Sequence, residues 1–324
     1  MIVARLNGQL GNQLFVYATA YALAKEQKDT LTIFKYEYDT VGRGFKYQLE
    51  DLQLFSYNRY WGAPISLYAY TTGTFMKKVF SRVCGAMRMQ AKKYTDPQVD
   101  IIRETDNSFK PISVSSRAKV HLLEGFWQSP AYFDQYREDI VCQFQPNFEL
   151  RASTKQYIQE ISDNSYSVAI HIRRGDYVKI GWCIPMEYYH KAVDIILEKH
   201  PQATFFIFSD DLAWAKENLK LNQKSVVYVA HNQKIKPFED IWLMSKCNAS
   251  IIANSSFSWW GAYLNQYPDK IVIAPSAMRH TNNRDAFCKD WIVVDTETKE
   301  FVEPCEYDAA LYRHSGTATS KGVV

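Results

Sequence analysis

Short β-branched apolar runs alternate with stretches of helical periodicity through the second half of this chain. Strands are predicted at 168–172, 204–208, 226–229, 250–253 and 271–274, with helices at 186–199, 212–219, 238–245 and 257–266 between them. Parallel neighbours need a crossover, and a helix is the usual one, so the alternation predicts a parallel sheet with helices on both faces. The chain opens in the same way, with a strand at 2–6, a glycine-containing loop at 7–11, a helix at 13–25 and a strand at 30–34. From 35 to about 163 the pattern is irregular, with helices expected at unassigned positions and a strand near 121–124.

Two α/β units facing each other across a cleft fit 324 residues. The apolar pattern thins between 150 and 166, where Ser153, Ser162, Asp163, Asn164 and Ser165 fall, which sets the expected units at 1–160 and 161–300. Residues 301–324 then form an extension, and its small polar end from 314 is expected to be disordered. A net charge of +3 argues against a nucleic-acid partner. A local exception runs from 66 to 94, where Lys77, Lys78, Arg82, Arg88, Lys92 and Lys93 are interleaved with aromatic and Met residues and no acid. A solvated helical face is the preferred reading, and peripheral contact with an anionic inner membrane is the other. Six scattered cysteines without C-x-x-C spacing read as reduced thiols. With no leader and no apolar run of spanning length, a cytoplasmic protein is expected.

In a parallel sheet the carboxyl ends of the strands share one edge, and ligands bind there. The strand 168–172 ends in Arg173, Arg174, Gly175 and Asp176, the next in Ser209, Asp210 and Asp211, and that at 250–253 in Asn254, Ser255 and Ser256 ahead of Phe257. Two guanidinium groups at a strand end suit a polyanion, because unpaired buried charge is costly. They can give bidentate bonds to a diphosphate, Asp176 can hold one of them, and the turn 254–256 presents N–H groups at a helix N-terminus. A carboxylate of Asp210 or Asp211 can accept from N1–H and the amino group of guanine. Plainer roles stand beside these: Ser256 as a helix N-cap, Asp210 and Asp211 as helix-dipole partners, and Arg173, Arg174 and Asp176 as a structural ion pair. The loop 7–13 is no dinucleotide fingerprint, since it lacks G-x-G-x-x-G and the following strand ends in Lys35. There Gly11 permits close approach, and Asn12 and Gln13 can bond hydroxyls across the cleft. No D-x-D, H-E-x-x-H or G-x-S-x-G occurs. Protein cations are therefore expected to stabilise a departing diphosphate, with no metal.

Five ordered segments carry a resemblance: 8–18 (GQLGNQLFVYA), 125–133 (GFWQSPAYF), 171–177 (HIRRGDY), 208–211 (FSDD) and 254–262 (NSSFSWWGA). Together they resemble glycosyltransferase family 11, the α-1,2-fucosyltransferases, up to about residue 295. The resemblance implies a GT-B fold of two Rossmann-like domains, a GDP-β-L-fucose donor, inversion, no metal, and transfer to the 2-hydroxyl of a terminal galactose on a glycan acceptor. The family's donor signature H-x-R-R-x-D falls on His171, Arg173, Arg174 and Asp176. Donor contacts are thus expected from His171, Arg173, Arg174, Asp210, Asp211, Asn254, Ser255, Ser256 and Phe257, and acceptor-side contacts from Gly11, Asn12 and Gln13. Arg174 and Arg173 are expected to stabilise charge on the β-phosphate. No base stands out, and Asp176 or Asn12 is the candidate for handling the hydroxyl. The stretch 45–117 is expected to shape the acceptor pocket. Transfer to another hydroxyl, or non-catalytic carbohydrate binding on the same fold, are the rival readings.

Overall fold

The β-branched runs assemble into two sheets in the computed structural model, which describes residues 1–34, 46–55, 99–221, 226–231, 236–278, 284–298 and 300–302. The basic stretch 66–94, Lys35, the tail from 314 and residues 56–98 of the expected acceptor stretch lie outside the described residues.

The first sheet joins β1 (Ile2–Arg5), β2 (Leu31–Phe34), β3 (Val99–Arg103) and β4 (Val120–Glu124) in the order β2-β1-β4-β3, with every pairing parallel. Helix α1 (Leu10–Gln27) crosses from β1 to β2. It starts three residues before the predicted helix, because Gln9 precedes it without a side-chain cap and the sequence gives no start signal there. Every residue from 14 to 24 is buried, so this helix is apolar all round and runs through the interior.

The second sheet orders its strands β11-β10-β9-β8-β5-β6-β7. These are β5 (Ser167–Ile172), β6 (Thr204–Ser209), β7 (Val226–Tyr228), β8 (Ala249–Ile251), β9 (Ile271–Pro275), β10 (Ile292–Val294) and β11 (Phe301–Val302). Only β11, which pairs with β10, is antiparallel. The chain steps outward from β5 to β7, then returns to the other side of β5 at β8, which places a topological switch point between β5 and β8. In chain order, helices α2 (Arg137–Gln143) and α3 (Ala152–Asp163) precede this sheet, α4 (Gly175–Ile180) and α5 (Met186–Lys199) follow β5, α6 (Leu212–Asn218) follows β6, α7 (Pro237–Met244) follows β7 and α8 (Ser256–Tyr263) follows β8.

Helix α3 occupies the stretch where the apolar pattern thins, since only Thr154 and Ile161 of it are buried. It docks on α7 through Glu239, which is 1% exposed. That carboxylate accepts from Thr154 Oγ1 at 2.5 Å, the Arg151 N–H at 3.2 Å and the Lys236 N–H at 3.2 Å. A buried carboxylate needs such partners, and here they tie the connection between the sheets to the start of α7.

Aromatic side chains of α1 and α8 fill a core common to both sheets. Phe15 meets Trp259 and Trp260 at ring separations of 4.5 and 5.0 Å, and Phe133 stacks on Trp260 at 5.5 Å. Both indoles are fully buried and both N–H groups are satisfied, by Ala286 O at 2.6 Å and by Gly11 O at 2.9 Å. A second core lies between the other face of the second sheet and α5, where the buried Tyr188 hydroxyl donates towards Ile252 O and Ile273 O. No helix among the described residues is long and apolar enough to cross a membrane, and the four described cysteines are free thiols.

Candidate active site

Strand β5 delivers Arg173 and Arg174 to the carboxyl edge beside Asp210 and Asp211, which follow β6. The two arginines are used differently. Arg173 Nη2 lies 2.6 Å from Asp176 Oδ1 and Nη1 lies 2.8 Å from Asp210 Oδ2, so both arms are bridged by carboxylates. Arg174 donates its main-chain N–H to Asp210 Oδ1 at 2.8 Å and its Nε to Asp211 Oδ2 at 3.3 Å. Its guanidinium carbon sits 3.6 Å from the centroid of the Trp214 ring. Neither Nη of Arg174 has a partner among the described residues. Arg173 is therefore a strut, whereas Arg174 presents a planar pair of donors. A Cβ on Gly175 would fall 2.4 Å from Asp210 Oδ2, so glycine is what allows this carboxylate to reach both arginine residues.

The carboxylates of Asp210 and Asp211, one of which was expected to face guanine, bond to the arginines, and Asp211 Oδ1 also accepts the Trp214 N–H at 3.1 Å as N-cap of α6. Three carboxylates face two guanidinium groups here. Attraction for an anion must then come from the Arg174 fork and from helix ends rather than from net side-chain charge.

His171 is buried at the end of β5, and its Nδ1 has no partner. Burial first, and then the neighbouring Arg173 charge, push its pKa down to about 3, which leaves a neutral imidazole. An unfolded histidine titrates near 6.5, so between about pH 6.5 and about pH 3 the unfolded chain takes up a proton that the folded one refuses. His171 thus destabilises the fold progressively as pH falls through that window and costs nothing of this kind above it. The wild type is expected to lose more of its urea midpoint between about pH 7 and about pH 4.5 than His171→Gln does. Equal losses would mean that the imidazole ionises in place.

Ser255, and not Ser256, caps α8, accepting the Phe257 N–H at 3.3 Å. Ser256 Oγ donates instead to Asn12 Oδ1 at 2.8 Å, a bond from the second sheet's edge to the first. Asn254 Nδ2 donates to Trp182 O at 2.9 Å while its buried Oδ1 is unpartnered, and Phe257 lies 5.6 Å from the His171 ring.

On the first sheet's side, Asn12 Oδ1 also accepts from Gln128 Nε2 at 2.8 Å. Gln128 follows β4 and Trp127, whose φ of 55° is in the left-handed region, rare for a bulky residue. Glu104 anchors that turn, accepting the Phe126 and Trp127 N–H groups at 2.8 and 3.0 Å. Gln13 departs from expectation. It is fully buried, donates to Gly8 O and Lys46 O, and accepts the Gln48 N–H, so it braces the start of α1 and does not reach across the cleft. Gly11 abuts Ser256 and Phe257 directly. Of the eight unpartnered buried polar side-chain atoms among the described residues, four line these edges: Trp127 Nε1, Gln128 Oε1, His171 Nδ1 and Asn254 Oδ1. Gln128 and Trp214 were not picked out by sequence reasoning. Gln128 stands inside the 125–133 segment, and Trp214 three residues after an acidic strand end, in the first turn of the predicted helix.

The Asn12–Ser256 bond joins the carboxyl edges of two sheets that are parallel but for β11, and this two-sheet α/β arrangement is the GT-B architecture. The description "Glycosyl transferase family 11" matches residues 1–295, and the chain belongs to that family of glycosyltransferases. Its relatives include the O-antigen biosynthesis glycosyltransferase WbnK of Escherichia coli, 31% identical over 89% of this chain and 98% of its own length. An α-1,2-colitosyltransferase of Escherichia coli is 31% identical over 91% and 99%, and a galactoside 2-α-L-fucosyltransferase of Bos taurus is 25% identical over 79% and 62%. Among solved structures, the fucosyltransferase NodZ from Bradyrhizobium matches 80% of this chain and 91% of its own at 13% identity, with a TM-score of 0.45.

Proposed function

We propose that this protein transfers L-fucose from GDP-β-L-fucose to the 2-hydroxyl of a terminal galactose, with inversion and with protein cations in place of a metal. The observation that carries the reading is Arg174, at the end of β5, the strand next to β8, whose two Nη donors have no partner among the described residues. A diphosphate between that fork and the helix N-terminus meets charge-assisted donors on one side and main-chain N–H groups on the other. The acceptor oxygen bonds to the anomeric carbon as the bond to the β-phosphate oxygen breaks, GDP leaves with the electron pair, and the hydroxyl proton passes to solvent. Arg174 stabilises the growing phosphate charge while Asp176 and Asp210 keep Arg173 in place. Because Asn12 Oδ1 already accepts from Gln128 and Ser256, its carboxamide positions the acceptor through the NH₂ group and is not the base.

Transfer of colitose is the second reading, favoured by the 31% identity to a colitosyltransferase against 25% to the bovine fucosyltransferase. GDP-fucose and GDP-colitose, each offered with a panel of galactosides, separate the possibilities when product linkage is read by NMR. An α-1,2-fucosylated product, formed equally well in EDTA, is expected. Turnover only with GDP-colitose, another linkage, or activity lost to EDTA and restored by magnesium would each overturn the corresponding part. GDP release that does not depend on any acceptor would oppose transfer altogether.

A further inference from the structure

Residues 210–214 form a cradle around Arg174 that specifies more than its charge. Asp211 divides its carboxylate, with Oδ1 accepting the Trp214 N–H at 3.1 Å and Oδ2 facing Arg174 Nε at 3.3 Å. The same group thereby fixes the helix turn that carries Trp214 and one edge of the guanidinium. The indole then covers the guanidinium face at 3.6 Å, a closer approach than the 5.4 Å of Arg173 over Tyr177. Trp214 is itself held by the main chain of α6, where Asn218 Nδ2 donates to its carbonyl at 2.8 Å.

A guanidinium with its Nε bonded and one face stacked has a single plane left to it, and its Nη pair must point along that plane. We infer that Trp214 is a positioning residue for the transfer reaction, acting through Arg174 by fixing the plane of its donor fork. The inference rests on the reading of Arg174 as the phosphate-binding group. Trp214 touches no reacting atom in this scheme, and its whole effect passes through the arginine.

The test is a double-mutant cycle on kcat, read together with GDP affinity by calorimetry and with the melting temperature. Trp214→Leu is expected to lower kcat and weaken GDP binding by about tenfold each, and Trp214→Phe to retain most of both. In an Arg174→Ala background the same tryptophan changes are expected to do nothing further. Equal losses in the two backgrounds, or a folded Trp214→Leu protein with unaltered kcat and GDP affinity, would overturn the inference. Should Trp214→Leu not fold, Trp214→Phe decides, since its smaller loss must also vanish in the Arg174→Ala background. Failure of the underlying reading looks different, because Arg174→Ala alone would then bind GDP and turn over normally.

Discussion

Arg174→Lys is expected to lower kcat by on the order of 10²–10³-fold while the protein stays folded. The main-chain N–H of residue 174 keeps its bond to Asp210, so the β5 terminus is undisturbed. What disappears is the Nε contact to Asp211, the flat face on Trp214 and the second donor of the fork. An ammonium preserves the charge but offers one mobile point where two fixed donors stood. Steady-state kinetics with saturating donor, and calorimetry for GDP, measure the two consequences separately. Turnover near the wild-type rate would remove Arg174 from the transfer step and leave it a partner in an ion-pair cluster.

Gly11→Ala is expected to be strongly destabilising, because the added methyl meets backbone. A Cβ there would lie 2.6 Å from the Ser256 carbonyl carbon, 2.6 Å from Ser256 Oγ and 2.7 Å from the Phe257 nitrogen. Two of those atoms are backbone at the capped end of a helix, so no rotamer change relieves the clash. Overpacking of this kind costs about 1–3 kcal/mol. Separating α1 from α8 also strains the Trp260–Gly11 and Asn12–Ser256 hydrogen bonds, each worth about 1 kcal/mol. Differential scanning calorimetry should show a melting temperature lower by several degrees, and kcat should remain depressed well below the new transition. An unchanged melting temperature would show that the helix ends yield more easily than their contacts imply.

Much of this fold can be read in the chain because its strands are buried on both faces and flanked by clear breaks. Helix α5 falls on its predicted bounds, and β6 differs from its prediction by one residue. Elements without an apolar signature escaped: β3, a half-exposed edge strand, and α4, which buries nothing. Helix α3 lies in a polar stretch, where a short stripe of Tyr157, Ile158 and Ile161 meets the core and Thr154 bonds to Glu239. Strand order explains why residues 173–176, 210–211 and 254–257 come together, and alternation alone predicts that convergence. Which partner each group takes is a different matter. Pairing of Asp210 and Asp211 with the arginines, burial of Gln13 against 46–48 and the cap falling on Ser255 depend on distances that spacing does not encode.

The aromatic seam between α1 and α8 has a consequence for how the two lobes hold together. With Phe15, Phe133, Trp259 and Trp260 interleaved across the boundary, neither lobe has a finished surface of its own. Parting α1 from α8 would expose both indole rings to water. Severed at the connection, each lobe would bare an apolar wall and aggregate rather than persist as a module.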